Sequence, residues 1–384
     1  MEVEELLCAV LRGENPAWPK AGDDRFAARL IERSAYHGVQ ALVDHRLRHR
    51  GADGGLGWPK AVLEACRNQA VAQATRELRH RWLLACVIER LSQMGVRPLV
   101  FKGTASAYDL YPAPFLRTRA DTDLLVPPDT RNPAIQALET LGFARLPNVS
   151  GDFITYEAGF DWLDPAAKQT HSVDLHWRIN NSELLSHLFS YQELYSKARR
   201  LPPLDAEAIA VSRVDALLLA CMHWAVHKRA PYYVDNEPYR GGDRLIWFYD
   251  IHLLLGALSV SEHQEFVELA ERKGLRRTCW ESVERARALF GSEVPEAVFR
   301  SLAQSGSLAS ADRYLNASGS CRFWADFRAI PGVRNKLRFL AEFYFPPESY
   351  MRWKYRGTKP ACLPWLYLRR AGEGAWKSFL TRAM

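Results

Sequence analysis

The stretch FKGTASAYDLYPAPFLRTRADTDLLV, residues 101–126, decides how this chain is read. It opens with Lys102, Gly103 and Thr104 and closes with two aspartates one residue apart, Asp121 and Asp123. Leu124, Leu125 and Val126 follow at once. Between the ends lie a run with the spacing of a short helix and a turn holding Arg117 and Arg119. Side chains at i and i+2 of a strand leave from one face, about 6–7 Å apart at Cα. Two carboxylates so placed repel each other, and one pKa rises unless a cation lies between them. A DxD pair alone is commonly a solvated strand end, so its meaning depends on what surrounds it.

Outward from this stretch the periodicity is that of a small α+β unit. VRPLVF (96–101) and DTDLLV (121–126) read as short buried strands. DTRNPAIQALETLGF reads as a helix with Asp129 or Thr130 as N-cap and Gly142 as its stop. FITYEAGF and HSVDLHWRI, joined by the turn-rich DWLDPAAKQT, read as an antiparallel pair. Residues 96–180 are therefore expected to form strand, helix, strand, helix and hairpin. Residues 1–95 show helical spacing, as do residues 181–310, most strongly in VDALLLACMHWAVHK and RLIWFYDIHLLLGAL. Residues 311–384 form a basic, aromatic-rich region in which PPESYMRWKYRGTKPACLPW reads as irregular. The fold expected is a small mixed sheet with helices, flanked by helical regions on both sides.

Composition bounds the chemistry. The chain has 384 residues, 48% hydrophobic and 25% charged, which suits folded domains rather than disorder. Apolar runs stay below the roughly 18 residues of a membrane span, and the acidic start MEVEELLCAV is unlike a secretory signal. Seven singly scattered cysteines argue against a disulfide framework or zinc ribbon and for a reducing cytoplasm. The net charge is +7, but residues 319–384 hold 13 Lys and Arg against 4 Asp and Glu. The remaining 318 residues are thus slightly acidic. Such a basic end suits an anionic partner (nucleotide, nucleic acid or membrane surface) or a solvated arginine-rich face.

The carboxylates suit a divalent ion. Mg²⁺, or Mn²⁺ in its place, takes one or two carboxylates plus substrate phosphates, and Asp174 in VDLHW sits in the next β-like run as a third. Gly103 and Thr104 open the short helix, where free N–H groups and a hydroxyl attract a phosphate. Lys102, Arg117 and Arg119 can offset phosphate charge.

Taken together, LVFKGTASAYDLYPAPFLRTRADTDLLV resembles the signature of the DNA polymerase β-like nucleotidyltransferase superfamily. Within it, the chain is similar over nearly its full length to a bacterial family of uncharacterised nucleotidyltransferases. HGVQALVDHRL, KGTA, LYP, Arg117, DTDLLV, VDLHW, HWAVHK and RLIWFYDI carry that similarity. Abortive-infection toxin nucleotidyltransferases share KGTA and the arginine turn but less elsewhere. The resemblance implies a polymerase β-like core, with Asp121, Asp123 and Asp174 as metal-binding carboxylates and Gly103 and Thr104 as the phosphate contact. Gly-Thr stands where related chains often have Gly-Ser or Gly-Gly, and Arg119 and Ala120 where Ser or Gly is common. The phosphate contacts at that second place are therefore open.

The resemblance further implies a second polar cluster of His223 and Asp250, with Lys228 or Arg244, facing nucleotide or acceptor. A buried structural His–Asp pair is the alternative. His176 shares a strand face with Asp174 and suits either an acceptor-side role or a structural one beside Trp177. His223 and His227 are four apart, but HWAVH lacks the glutamate of a zinc protease. HRLRHR (45–50) and RELRHR (76–81) read most simply as solvated helix faces, with nucleic-acid contact as the alternative. Trp224, Trp247, Trp324, Trp353, Trp365 and Trp376 read as core or contact residues more than base-stacking platforms. The expected activity is transfer of an NMP from an NTP to a small molecule, a peptide or protein hydroxyl, or a tRNA end. A catalytically silent nucleotide-binding module of the same fold is the alternative. The sequence selects neither the acceptor nor the oligomeric state.

Overall fold

The computed structural model describes residues 2–19, 22–48, 57–149, 152–228, 232–234, 237–239, 243–304, 309–356 and 362–380. Helices α1 (Val3–Leu11), α2 (Asp24–His37), α3 (Gln40–Arg48) and the 34-residue α4 (Lys60–Gln93) come first. Strand β1 (Leu99–Phe101) runs straight into α5 (Lys102–Asp109). A 3-10 turn (Pro114–Leu116) leads to β2 (Asp121–Leu125), and α6 (Arg131–Thr140) follows. Strands β3 (Ala144–Arg145), β4 (Glu157–Leu163) and β5 (Thr170–His176) precede α7 (Glu183–Ser186) and α8 (Tyr191–Ser196). Next come β6 (Arg199–Arg200), β7 (Ile209–Ala210) and α9 (Arg213–His227), then the two-stranded ribbon β8 (Tyr232–Val234) and β9 (Glu237–Tyr239). The elements described beyond the ribbon are helices: α10 (Leu245–Ala257), α11 (Val260–Arg272), α12 (Arg276–Phe290), α13 (Glu296–Ala303) and α14 (Ser310–Asn316). They end with α15 (Gly319–Ala329), α16 (Val333–Tyr344), α17 (Glu348–Lys354) and α18 (Leu363–Leu380).

Seven strands form one mixed sheet in the order β3-β4-β5-β2-β1-β7-β6. β1 pairs parallel with β7, whereas β3 with β4, β4 with β5 and β6 with β7 are antiparallel. The expected α+β class and hairpin are therefore present. β6 and β7 have two residues each, too few to carry a period that a sequence reading can detect.

Chain contacts divide the molecule into two units. The first comprises Met1–Glu89, Leu99–Asp123 and Lys197–Asp312. Its core includes Leu6, Leu7, Phe101, Phe248 and Phe266, all buried. Three of its helices, α2, α9 and α11, start where side chains satisfy orphan N–H groups. Asp23 accepts from Phe26 N, Ser212 from Asp215 N, and Ser259 with Glu262 makes a capping box on α11. α12 is capped from a distance. Asp312 accepts from the backbone of Arg277 and Thr278 at 3.0 Å each, and from Thr278 Oγ1 at 2.6 Å.

The second unit comprises Arg90–Pro98, Leu124–Ser196 and Arg313–Met384. Tyr156, Phe160, Val173 and Leu175 are buried in it. Asp326 on α15 ties down the start of α7, accepting from Ser182 Oγ at 2.8 Å and Leu184 N at 3.1 Å. Within the stretch read as irregular, Glu348–Lys354 is helical. Pro347 stands at its N-cap, where a missing N–H costs nothing, and Glu348 pairs with Arg352 one turn on. Residues 357–361 of that stretch lie outside the described residues, as do residues 49–50 of HRLRHR and the side chain of Trp376.

Asp312→Ala removes three hydrogen bonds from a buried helix start. It is expected to lower unfolding stability by about 2 kcal/mol, measured as a shift in the urea midpoint. A change below about 0.5 kcal/mol, the range of ordinary surface substitutions, would remove the cap from the account.

Candidate metal and nucleotide site

β2 presents Asp121 and Asp123 on one face because Thr122, between them, is anchored on the other. Thr122 is buried, with Oγ1 2.7 Å from His80 Nε2 and 3.0 Å from Thr104 Oγ1. The run RELRHR, expected to be a solvated face, is tied to this place. Arg76 donates to the carbonyls of Arg119 (2.6 Å) and Ala120 (2.9 Å), and Glu77 accepts from Arg119 Nη2 (2.6 Å) and the Tyr108 hydroxyl. Arg119 and Thr104, expected to face phosphate, are thus engaged within the fold.

Lys102 and Gly103 begin α5. Lys102 has φ +52°, a left-handed conformation that costs a non-glycine residue about 1 kcal/mol or more. Its Nζ lies 2.6 Å from Asp123 Oδ1. A Cβ on Gly103 would stand 3.2 Å from Arg117 Nη2, so the absence of a side chain lets the guanidinium approach the helix start. Arg117 is buried and forked onto Asp250. Nε lies 2.9 Å from both carboxylate oxygens, and Nη2 lies 2.7 Å from Oδ2. Tyr111 donates to the same carboxylate at 2.7 Å, and Arg117 Nη1 donates to the Thr118 carbonyl at 2.6 Å. Asp250 is thus brought to Arg117.

His223 is packed edge-on to the rings of His227 (4.5 Å) and Trp247 (5.0 Å). Burial is the first cause that holds its imidazole well below the usual range, with the charges of His227 and Lys102 next. Asp123 also acts on it, in the opposite sense. Lys228 pairs with Glu281 at 3.1 Å, and Arg244 donates to the Tyr36 carbonyl at 2.8 Å.

On β5, Val173 and Leu175 enter the core, while Ser172, Asp174 and His176 share the other face. The hairpin register sets Gly159 opposite Asp174 and Glu157 opposite His176. A Cβ on Gly159 would lie 3.3 Å from Asp174 Oδ1, so glycine leaves room for the carboxylate. Glu157 Oε2 lies 3.2 Å from His176 Nδ1. β5 is the sheet neighbour of β2, and the His176 carbonyl accepts from Val126 N at 2.8 Å. One ligand atom each from Asp123, Asp174 and His176 lies within 4.8 Å of the other two. Two carboxylates and an imidazole are donors that a divalent cation such as Mg²⁺ accepts. They suit Mn²⁺ as well. Asp121, on the Asp123 face of β2, is not one of the three.

His176 enters the group by geometry where the sequence left its role open. Its signal was the i+2 spacing from Asp174. Glu157, Glu77, His80 and Tyr111 carried no such signal.

The fold is α+β, and Asp123, Asp174 and His176 form a group that could hold a metal ion. The uncharacterised nucleotidyltransferase family model matches residues 24–291, and the chain belongs to that family. The match includes every residue named in this site. Comparison with curated proteins gives no match. Among solved structures, the chain is similar to an antigenic nucleotidyltransferase-like protein from Paracoccidioides brasiliensis. Identity is 13%, TM-score 0.33, and coverage 58% of this chain and 96% of that one.

Asp250→Ala leaves the Arg117 charge buried without its partner. It is expected to cost about 3–5 kcal/mol of stability, and Gly103→Ala about 1–3 kcal/mol, both read from urea unfolding. If both behave like surface substitutions, the clamp does not organise this region.

Acid stability follows from two histidines. Burial lowers His37 and His227 to about 4, from an ordinary value of 6.5. The unfolded chain therefore binds more protons between these values. Their contribution is complete above about 6.5 and is lost as pH falls toward 4. The urea midpoint should drop across that window, and His227→Gln should flatten the drop.

Proposed function

We propose that this protein is a divalent-metal-dependent nucleotidyltransferase. It moves an NMP from an NTP to a hydroxyl or phosphate acceptor and releases pyrophosphate. The observation that carries this reading is the gathering of Asp123, Asp174 and His176 in a chain of the nucleotidyltransferase family. Mg²⁺ or Mn²⁺ at this face would hold the triphosphate and lower the pKa of the attacking hydroxyl.

The chain's own groups then have separable tasks. Asp123 and Asp174 supply oxygen ligands, with His176 beside them and Asp121 on the same β2 face as Asp123. Lys102 exchanges its bond with Asp123 for a phosphate oxygen when nucleotide enters. The N–H groups of Gly103 and Thr104, in the first turn of α5, face the β,γ-phosphates. Arg117 and Arg119 support this arrangement from within the fold. Asp174 takes the acceptor proton as the acceptor oxygen bonds to the α-phosphorus. The bond from that phosphorus to the β-phosphate bridging oxygen breaks, and pyrophosphate leaves. Catalysis of this kind is mainly positioning and charge stabilisation. The acceptor class is a small molecule, a peptide or protein hydroxyl, or a tRNA end.

The test uses each labelled NTP with Mg²⁺ or Mn²⁺ and acceptors of the three classes. Asp123→Ala and Asp174→Ala are expected to lower transfer about a thousandfold, with folding checked by thermal melting. Lys102→Met should weaken NTP binding more than metal binding, read by titration calorimetry. Absence of NTP binding with either metal would sink the proposal. Binding without transfer to any acceptor would instead favour a silent nucleotide-binding module.

A further inference from the structure

We propose that the exposed apolar stripe of α16, with the exposed apolar and basic side chains of α15 and α18, docks on an anionic phospholipid surface. The inference is independent of the nucleotidyl-transfer reading.

Thirteen large apolar side chains are exposed among the described residues, and eight of them lie between Trp324 and Leu368. Exposed apolar groups are therefore concentrated in the same part of the chain as the positive charge. On α16, Val333, Leu337, Ala341 and Tyr344 are exposed at spacings of four, four and three, which is one face of a helix. Phe339, on the other side, is buried. Exposed Arg334 follows Val333 directly beside the stripe, and exposed Arg338, after Leu337, pairs with Asp152 at 2.6 Å and Glu342 at 3.0 Å. On α15, Trp324 and Arg328 are exposed four apart. On α18, Trp365, Leu368 and Arg369 repeat the pattern. Val333, Leu337, Trp324, Trp365 and Leu368 are each more than half exposed.

This is the composition of helices that lie in a membrane interface, with aliphatic and tryptophan side chains toward the acyl boundary and arginines at the headgroups. α16 has 12 residues, about 18 Å of helix, too short to cross a bilayer core of about 30 Å. Among the described residues, no helix is long and apolar enough to cross a membrane.

Charge selects the occupant. Residues 319–384 hold 13 basic against 4 acidic side chains, which complements anionic headgroups. A second copy of the same face would bring an equal positive charge against it. RNA would use the arginines and aromatic rings, but it offers no place for Val333, Leu337 and Leu368.

The experiment is flotation of the full chain with vesicles of phosphatidylcholine alone or mixed with phosphatidylglycerol, at low and high salt. The expected result is association with the anionic vesicles only, weakened by salt. Val333→Glu with Leu337→Glu should reduce it about tenfold or more, because both the apolar contact and the local charge change. Arg328→Glu with Arg334→Glu should reduce it similarly while leaving the apolar side chains intact. Thermal melting of both double variants should match the unsubstituted protein, since all four positions are exposed. Equal flotation with neutral vesicles, or none with anionic ones, overturns the proposal. Binding of tRNA without vesicle binding overturns it in favour of RNA. A dimer lost in Val333→Glu/Leu337→Glu, again without vesicle binding, overturns it in favour of a second copy.

Discussion

The Arg117 guanidinium meets the Asp250 carboxylate in the protein interior, where Tyr111 donates a further hydrogen bond to the same acid. A buried charge without a partner costs several kcal/mol, so each of these groups dictates the position of the other. Arg117 belongs to the segment entering β2, and Asp250 to α10. Gly103 lies against the guanidinium because it has no side chain to intervene. One ion pair thus fixes the start of α5 and the approach to β2 against a helix more than a hundred residues later. Both segments belong to the same unit, and the pair ties them together.

The carboxylates impose a second constraint of opposite sense. Asp123, Asp174 and His176 are mostly withdrawn from water and close together. Such a group is costly unless positive charge is near. Lys102 supplies some of it, from a left-handed backbone that a lysine rarely adopts. Strain of this kind persists only where surrounding contacts over-determine it. Here the Lys102–Asp123 bond and the packing of Gly103 on Arg117 lie on either side of the strained peptide. The site has spent conformational energy to set an ammonium beside an acid. An ammonium on a flexible stem can then yield to a cation that binds more oxygens at once.

Parts of this arrangement were legible in sequence, and the division has a physical basis. β1, β2 and β5 announce themselves as short apolar runs between turn residues, whereas β4 (Glu157–Leu163) starts four residues later than the run FITYEAGF and takes in the first three residues of the expected turn. The i+2 relation of Asp121 to Asp123, and of Asp174 to His176, follows from strand geometry alone. The partner of Arg117 did not follow, because helical spacing says which residues share a face but not what that face meets. Asp250 was therefore read as a companion of His223, whereas its carboxylate is taken by Arg117 and Tyr111. RELRHR failed for a related reason. A run of charge on a helix looks solvated until another segment, here the Arg119–Thr122 backbone and side chains, lies across it. Glu157 needed the hairpin register, which the length of the DWLDPAAKQT turn leaves undetermined. The helix Glu348–Lys354 was hidden by its prolines, which read as breakers although one of them stands at the helix start.

Positive charge has two distinct uses in this chain. Arg117, Arg119 and Arg76 are turned inward onto carboxylates and carbonyls, where a planar fork with five donors satisfies several acceptors at once. Their work is architectural, and their number says little about partners. Among the described basic side chains of residues 319–384, Arg328, Arg334, Arg338, Arg352, Lys354, Arg356 and Arg369 are exposed, and Arg338, Arg352 and Arg369 also pair with carboxylates. Net charge counted over the whole chain mixes the two. Separated by burial, the inward arginines explain how a carboxylate face is held rigid, and the outward ones are what a partner would meet. A formal charge of +7 is therefore informative only after each guanidinium has been assigned to the interior or to water.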